Sequence, residues 1–194
     1  MTLNQQLVQQ LSDKANEQIT DKEFLAAELS MGISADNPAF VSLCEATANQ
    51  LVEFTDIKSV LDYGAGTGVY SNAMHQLGYD VKIYENFKAH RDYIKEKYPH
   101  LTIINKPVTT DCLFWIEVSE HMTDEQIDNL FNTISPKYIY HSSTSEVTIY
   151  DDLWGHINIK SQDDWVSLFK SKGYELIESP LIPTAWAKIY KKYE

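Results

Sequence analysis

Cysteine is scarce in this chain. Cys44 and Cys112 are the only two in 194 residues, which is too few for a disulfide framework, and they lack zinc-ligand spacing. No apolar run approaches the ~20 residues that cross a bilayer. The start of the chain, Met1-Thr2-Leu3-Asn4-Gln5, has neither the basic nor the apolar region of a signal peptide, so a cytoplasmic location is expected. Internal repeats and low-complexity runs are absent as well. So is any basic cluster beyond the pair Lys191-Lys192, and the net charge is −12. Nonspecific affinity for nucleic acid comes largely from neutralising phosphates, so an acidic surface disfavours large DNA or RNA substrates.

What is present is ordinary in bulk and specific in one place. With 43% hydrophobic and 23% charged residues, the chain reads as one globular domain with a real core. Its organising stretch is residues 59–85. Val60 and Leu61 read as the end of a buried strand, and Asp62 stands where that strand runs out. Gly64, Gly66 and Gly68 follow at alternate positions with Ala65 between the first two. A turn without Cβ atoms lets a ligand approach the backbone, and the helix that follows offers free N–H groups at its start. Val69, Tyr70, Ala73, Met74 and Leu77 give that helix an apolar face, and Gly78 stops it. Val81 to Tyr84 read as a second strand ending in Glu85, followed by Asn86. An acidic residue about 20 positions after the first glycine is where ribose hydroxyls are held in nucleotide-binding βαβ units.

The rest of the chain alternates strand and helix. Residues 1–36 read as a separate helical extension. Leu3, Leu7 and Leu11 mark one helix; Phe24, Leu25 and Leu29 mark another that ends near Gly32. Asn37-Pro38 opens a helix with the apolar stripe Phe40, Leu43, Cys44, Ala48 and Leu51. A helix with Phe87, Ile94 and Tyr98 stops at Pro99, and Leu101–Ile104 is a third strand. Cys112–Ile116 is a fourth, apolar throughout as a doubly buried strand should be. Thr123 and Gln126 form a capping box for the next helix, and Lys137–His141 is a fifth strand. A loop from Ser142 to Lys160 holds Trp154, Gly155, His156 and Asn158; loops of that length are usually functional or disordered. Ser161 and Asp164 cap a last helix. Residues 174–177 and 184–190 read as two final strands with no helix between them, hence antiparallel.

The pattern Asp62-x-Gly64-x-Gly66-x-Gly68 at a strand end resembles motif I of class I S-adenosylmethionine (SAM) methyltransferases. The dinucleotide fingerprint fits less well, because it wants Gly or Ala where Val69 stands. The element count matches as well, over roughly residues 37–194. The resemblance implies an α/β fold: a doubly wound, mostly parallel seven-stranded sheet with the last strand antiparallel, plus N-terminal helices that act as a candidate lid. It implies SAM as cofactor, held by Asp62, Gly64, Ala65, Gly66, Glu85, Asn86, Val108 and Glu117. The loop after the third strand usually supplies an acidic or polar residue near the adenine. Here it reads Asn105-Lys106-Pro107-Val108, without the acid.

Glu117-Val118-Ser119-Glu120-His121 resembles the E-V-x-E-H segment common among methyltransferases, including ubiquinone-pathway O-methyltransferases, and His156-Ile157-Asn158 resembles a recurrent H-x-N segment of many small-molecule members. In some relatives, including terminal ribose methyltransferases of small RNAs, two Glu and two His hold a divalent metal; Glu117, Glu120, His121 and His156 fit that order. Carboxylate and imidazole ligands suit Mg, Mn or Zn. Methyl transfer needs alignment above all, with a general base only for a hydroxyl or protonated amine; His121, His156 and Glu117 are the candidate catalytic residues. Asn-Pro-Pro-Tyr and Asp-Pro-Pro-Tyr, the amide-nitrogen motifs, are absent. The reading is therefore a SAM-dependent enzyme that methylates O or N of a small molecule. The alternatives are a metal-assisted ribose methyltransferase on an RNA end and a SAM-binding partner module without turnover. Another four histidines, His75, His90, His100 and His141, read as structural or solvated.

Overall fold

The computed structural model describes residues 20–148 and 151–193. The helix expected around Leu3, Leu7 and Leu11 lies outside them. Helix α1 is Asp21–Ser30, and its capping box, Thr20 with Glu23, satisfies two of its free N-terminal N–H groups. The chain leaves it through Gly32 at φ +84°, a conformation open to glycine. Helix α2 is Pro38–Asn49, with the Asn37 side chain accepting from the Ala39 N–H at 3.2 Å. There follow β1 (Ser59–Tyr63), α3 (Val69–Gln76), β2 (Asp80–Tyr84), α4 (Lys88–Lys97), β3 (Thr102–Ile104), β4 (Cys112–Ile116), α5 (Asp124–Thr133) and β5 (Tyr138–Ser142). The order closes with the short α6 (Asp151–Trp154), α7 (Gln162–Ser171), β6 (Tyr174–Glu178) and β7 (Lys188–Lys192).

The seven strands form one sheet in the order β3-β2-β1-β4-β5-β7-β6. Strands β1 to β5 are parallel, and β7 runs antiparallel between β5 and β6. Alternation along β4 serves both faces. Cys112 and Phe114 join Val60, Met74 and Ile94 under α2, α3 and α4; Leu113 and Trp115 join Ile127, Trp165 and Phe169 under α5 and α7. β5 is buried along its whole length, as a central strand covered on both faces must be. Among the described residues no helix is long and apolar enough to cross a membrane.

Two expectations need correction. The last strand begins at Lys188, because Thr184–Trp186 form a local turn in which the Thr184 hydroxyl accepts from the Trp186 N–H at 3.1 Å. Leu77 is not a core residue. It lies past the end of α3 and is 41% exposed. Of the histidines read as structural or solvated, His90 and His141 fall on the structural side, each being only 1% exposed. His141 sits among Trp115, Trp165 and Phe169 with its Nε2 2.8 Å from Ser119 Oγ. That apolar cage drives its pKa down to about 3.

Candidate active site

The strand order reverses between β1 and β4, and the crevice beyond the carboxyl ends of the strands at such a switch point is where open α/β sheets bind ligands. Two groups of residues stand there.

The first is the glycine turn between β1 and α3. Gly64, Gly66 and Gly68 all have positive φ (75°, 53° and 74°), which explains why three glycines are needed. A Cβ on Gly64 would come within 2.6 Å of Val118, and one on Gly68 within 2.9 Å of Ile94. At Gly66 the nearest atom to such a Cβ is Glu28 Oε1 at 3.6 Å; this is the open side of the turn. Glu85, at the end of β2, fastens the turn. Its Oε2 accepts from the Gly66 N–H at 3.0 Å and its Oε1 from the Phe87 N–H at 2.8 Å. Burial holds the Glu85 carboxyl above its usual pKa, partly opposed by those N–H donors and His90. Asp62 is 4% exposed and accepts from Ser71 Oγ at 2.5 Å. Burial pushes it to about 7, and its visible work is to tie β1 to α3. Ala65 is buried, whereas Asn86 is exposed and offers its carbonyl to Arg91. Asn105 and Val108 are exposed in a connection to β4 that carries no helix, so the wall expected beside an adenine is thin.

The second group follows β4. Glu117 is the one non-glycine residue with positive φ among those described, at 52°; such outliers cluster at functional sites. Its N–H donates to the Ser142 carbonyl at 2.8 Å and its carboxylate accepts from Ser142 Oγ. A short 3₁₀ turn, Ser119–His121, then places Glu120 and His121. Glu120 is 1% exposed and accepts from Ser143 Oγ at 3.1 Å. Its main-chain carbonyl accepts from the N–H groups of Ile157 and Asn158, each at 2.9 Å. This sews the loop carrying His156 onto the turn carrying His121. Asn158 completes the seam, donating from Nδ2 to the Met122 carbonyl at 2.8 Å and to Asp124 at 2.9 Å.

One ligand atom each from Glu120, His121 and His156 lies within 4.8 Å of the others. The His121 and His156 rings are 4.8 Å apart between centroids. Glu117, expected as a fourth ligand, stands outside this trio, and its carboxylate accepts from Ser142 Oγ. Burial, and then repulsion from Glu117, raises Glu120 to about 9, while burial and the neighbouring His156 lower His121 to about 4. The Nδ1 atoms of both rings are engaged: His121 with the Gly155 carbonyl at 3.2 Å and His156 with Asp151 Oδ1 at 2.9 Å. If Nδ1 carries the proton in each, Nε2 keeps its lone pair, as metal-ligating histidines usually do. Two imidazoles beside a carboxylate that is costly to bury without a cation make a donor set that fits a divalent ion of the Mn or Zn type.

Sequence reasoning missed four contributors. Ser142, Ser143 and Asp151 had no motif to mark them. Glu28 lies on α1, 57 residues from Glu85 in the chain, and only the fold brings it over the turn.

Sheet order, the reversed β7 and the glycine turn together define the fold of class I SAM-dependent methyltransferases. Solved structures share it. Magnesium protoporphyrin IX methyltransferase from Synechocystis PCC 6803, with bound SAM, superposes at a TM-score of 0.55 with 13% identity over 79% of each chain. An O-methyltransferase from Nostoc punctiforme PCC 73102 gives 0.60 and 14%, covering 90% of this chain and 60% of its own. The mitomycin 7-O-methyltransferase gives 0.62 and 12%, covering 94% and 60%. This chain thus spans about 60% of the length of the latter two. Neither a protein-family model nor a curated protein sequence matches it.

Proposed function

We propose that this chain is a SAM-dependent methyltransferase acting on an oxygen or nitrogen of a small molecule. The observation that carries the reading is the juxtaposition at one sheet end of a glycine turn braced by Glu85 with a buried carboxylate and two imidazoles. Glu85 presents a carboxylate for ribose hydroxyls, with Asp62, Gly64, Ala65, Gly66, Asn86, Val108 and Glu117 around the remainder of the cofactor. Residues 1–36 are an extension whose α1 roofs the site of the 37–194 domain. SAM supplies an already activated methyl group, so the protein's task is alignment and, for a hydroxyl acceptor, removal of a proton. His121, kept neutral, and His156, oriented by Asp151, are suited to accept it.

A second reading rests on the same trio. Glu120, His121 and His156 would hold a divalent cation, which would lower the pKa of a bound hydroxyl. With such an ion the acceptor class includes the ribose at an RNA end, although the net charge of −12 opposes long nucleic acids.

Calorimetric titration with SAM, S-adenosylhomocysteine and NADH tests the cofactor, and mass spectrometry of small molecules that co-purify supplies acceptors. The expected result is SAM binding and release of S-adenosylhomocysteine with an acceptor. NADH binding without SAM binding overturns the reading. SAM binding without turnover on any acceptor points instead to a non-catalytic SAM-binding module.

A further inference from the structure

Helix α1 crosses both halves of the site, and one of its side chains touches each. The Phe24 ring lies 5.6 Å from Phe87 and 5.9 Å from His90, between centroids, on the cofactor side. On the other side it lies 5.6 Å from Trp154 and 6.4 Å from His121, both edge-on. Edge-to-face rings at such separations attract through their quadrupoles.

Two polar contacts dock the helix that carries this ring. Asp21 Oδ2 accepts from the Ala89 N–H at 3.0 Å. It caps α4 from another helix, since α4 has no side-chain cap of its own. Glu28 Oε2 lies 2.6 Å from His90 Nε2, and both side chains are largely buried. The charged groups facing His90 are Glu28 and Asp21 from α1 and Glu85 from the end of β2. The same Glu28 carboxylate hangs over the open side of Gly66. The helix is therefore fastened at the cofactor half by charge, and the Phe24 ring carries it across to the His121 half.

We propose that Phe24 is a positioning residue shared by the two half-sites. Held down by the Glu28–His90 pair, its ring seats Trp154 and His121, so that closure of α1 over the glycine turn and ordering of the His121–His156 cluster are one event. The proposal rests on the reading above only for the identity of the ligand; the mechanical coupling holds without it.

The closing experiment is hydrogen–deuterium exchange on the full chain, with and without S-adenosylhomocysteine, for wild type, Phe24→Ala, Phe24→Leu and His90→Gln. Circular dichroism checks that each is folded. Without ligand, Phe24→Ala is expected to speed exchange in residues 151–158 at least fivefold while residues 112–116 of β4 are unchanged. Phe24→Leu restores most of the protection by keeping the bulk. His90→Gln speeds exchange in residues 21–30 and 151–158 together. With ligand, wild type gains protection in both segments and Phe24→Ala gains it in residues 21–30 alone. Unchanged exchange at 151–158 in ligand-free Phe24→Ala overturns the proposal, and so does ligand protection of 151–158 that survives in that variant. If wild type shows no response to S-adenosylhomocysteine, the cofactor reading fails, and the ligand-free comparison still decides the role of Phe24.

Discussion

The turn after β1 and the cluster after β4 stand on adjacent strands but are held by different forces. In the turn, one carboxylate accepts from two main-chain N–H groups, at Gly66 and Phe87, so the geometry is set by the backbone. In the cluster, the Ser143 hydroxyl just past β5 and main-chain N–H groups of the loop carrying His156 must both reach the Ser119–His121 turn for Glu120 to be satisfied. Both halves bury acids, but Glu85 has N–H donors for company and Glu120 has Glu117. A backbone-built site is rigid before its ligand comes. A cluster built around an uncompensated acid is tuned for a cation or a proton to complete it.

The largest effect should separate chemistry from cofactor binding. His121→Ala or His156→Ala is expected to lower release of S-adenosylhomocysteine with an acceptor by ~10²–10⁴-fold, the usual worth of a positioned acid or base. Affinity for SAM should fall far less than the rate, because neither side chain touches the glycine turn and the link to α1 runs through the Phe24 ring. Equal losses in rate and affinity would mean that the two halves are not separable. Glu85→Ala should do the reverse, weakening SAM by ~1.5–3 kcal/mol through loss of hydrogen bonds to a charged acceptor. An unchanged calorimetric affinity there would place the ribose elsewhere.

The glycine turn was legible in the sequence because it is local. Strand, turn, helix, strand and terminal acid all fall between Ser59 and Glu85, and each leaves its own mark in composition. The cluster after β4 was legible only where residues stay contiguous, as at Glu117, Glu120 and His121. The link to His156 runs through main-chain bonds from the Glu120 carbonyl, which any sequence could make. That Glu117 turns to positive φ and bonds Ser142 outside the trio was marked by no motif. Glu28 and Phe24 were hidden for a related reason: a helix read as a lid shows its apolar residues, but not which strand ends they will cover.

Titration offers a gentler probe of the same contrast. Without a cation, Glu120 has its pKa raised to about 9 by burial and by Glu117. The protonated, folded form is favoured at low pH, so its contribution to stability is present below the ordinary glutamate range and declines as pH rises towards about 9. His121, lowered to about 4, has the opposite sign: its contribution is present above the ordinary histidine value and is lost as pH falls through about 4. The melting temperature of the metal-free protein should therefore fall on both sides of the weakly acidic range. Addition of Mn²⁺ or Zn²⁺ at about pH 8 should raise it by mass action, and Glu120→Gln should flatten the alkaline limb and abolish the response to metal. A metal response that survives in Glu120→Gln would move the ion to another site.

The smallest effects lie within the glycine turn itself, and they compare its open and packed sides. Gly66 and Gly68 both sit at positive φ, so an alanine at either pays the left-handed penalty of ~1–2 kcal/mol. At Gly66 that should be nearly the whole cost, since the nearest atom to the new Cβ is the end of the Glu28 side chain at 3.6 Å. At Gly68 the Cβ would also meet Ile94 Cγ1 at 2.9 Å, and Ile94 is fully buried. The neighbour cannot swing away without disturbing the core, so overpacking adds ~1–3 kcal/mol. Urea denaturation should rank Gly68→Ala as the less stable of the two. Calorimetry should reverse the ranking per unit of stability lost: Gly66→Ala faces the space beneath α1 and should lose SAM affinity out of proportion to its modest cost in folding. If both variants lose stability and affinity in step, Gly66 does not face the ligand, and the open side of the turn is only a gap beneath Glu28.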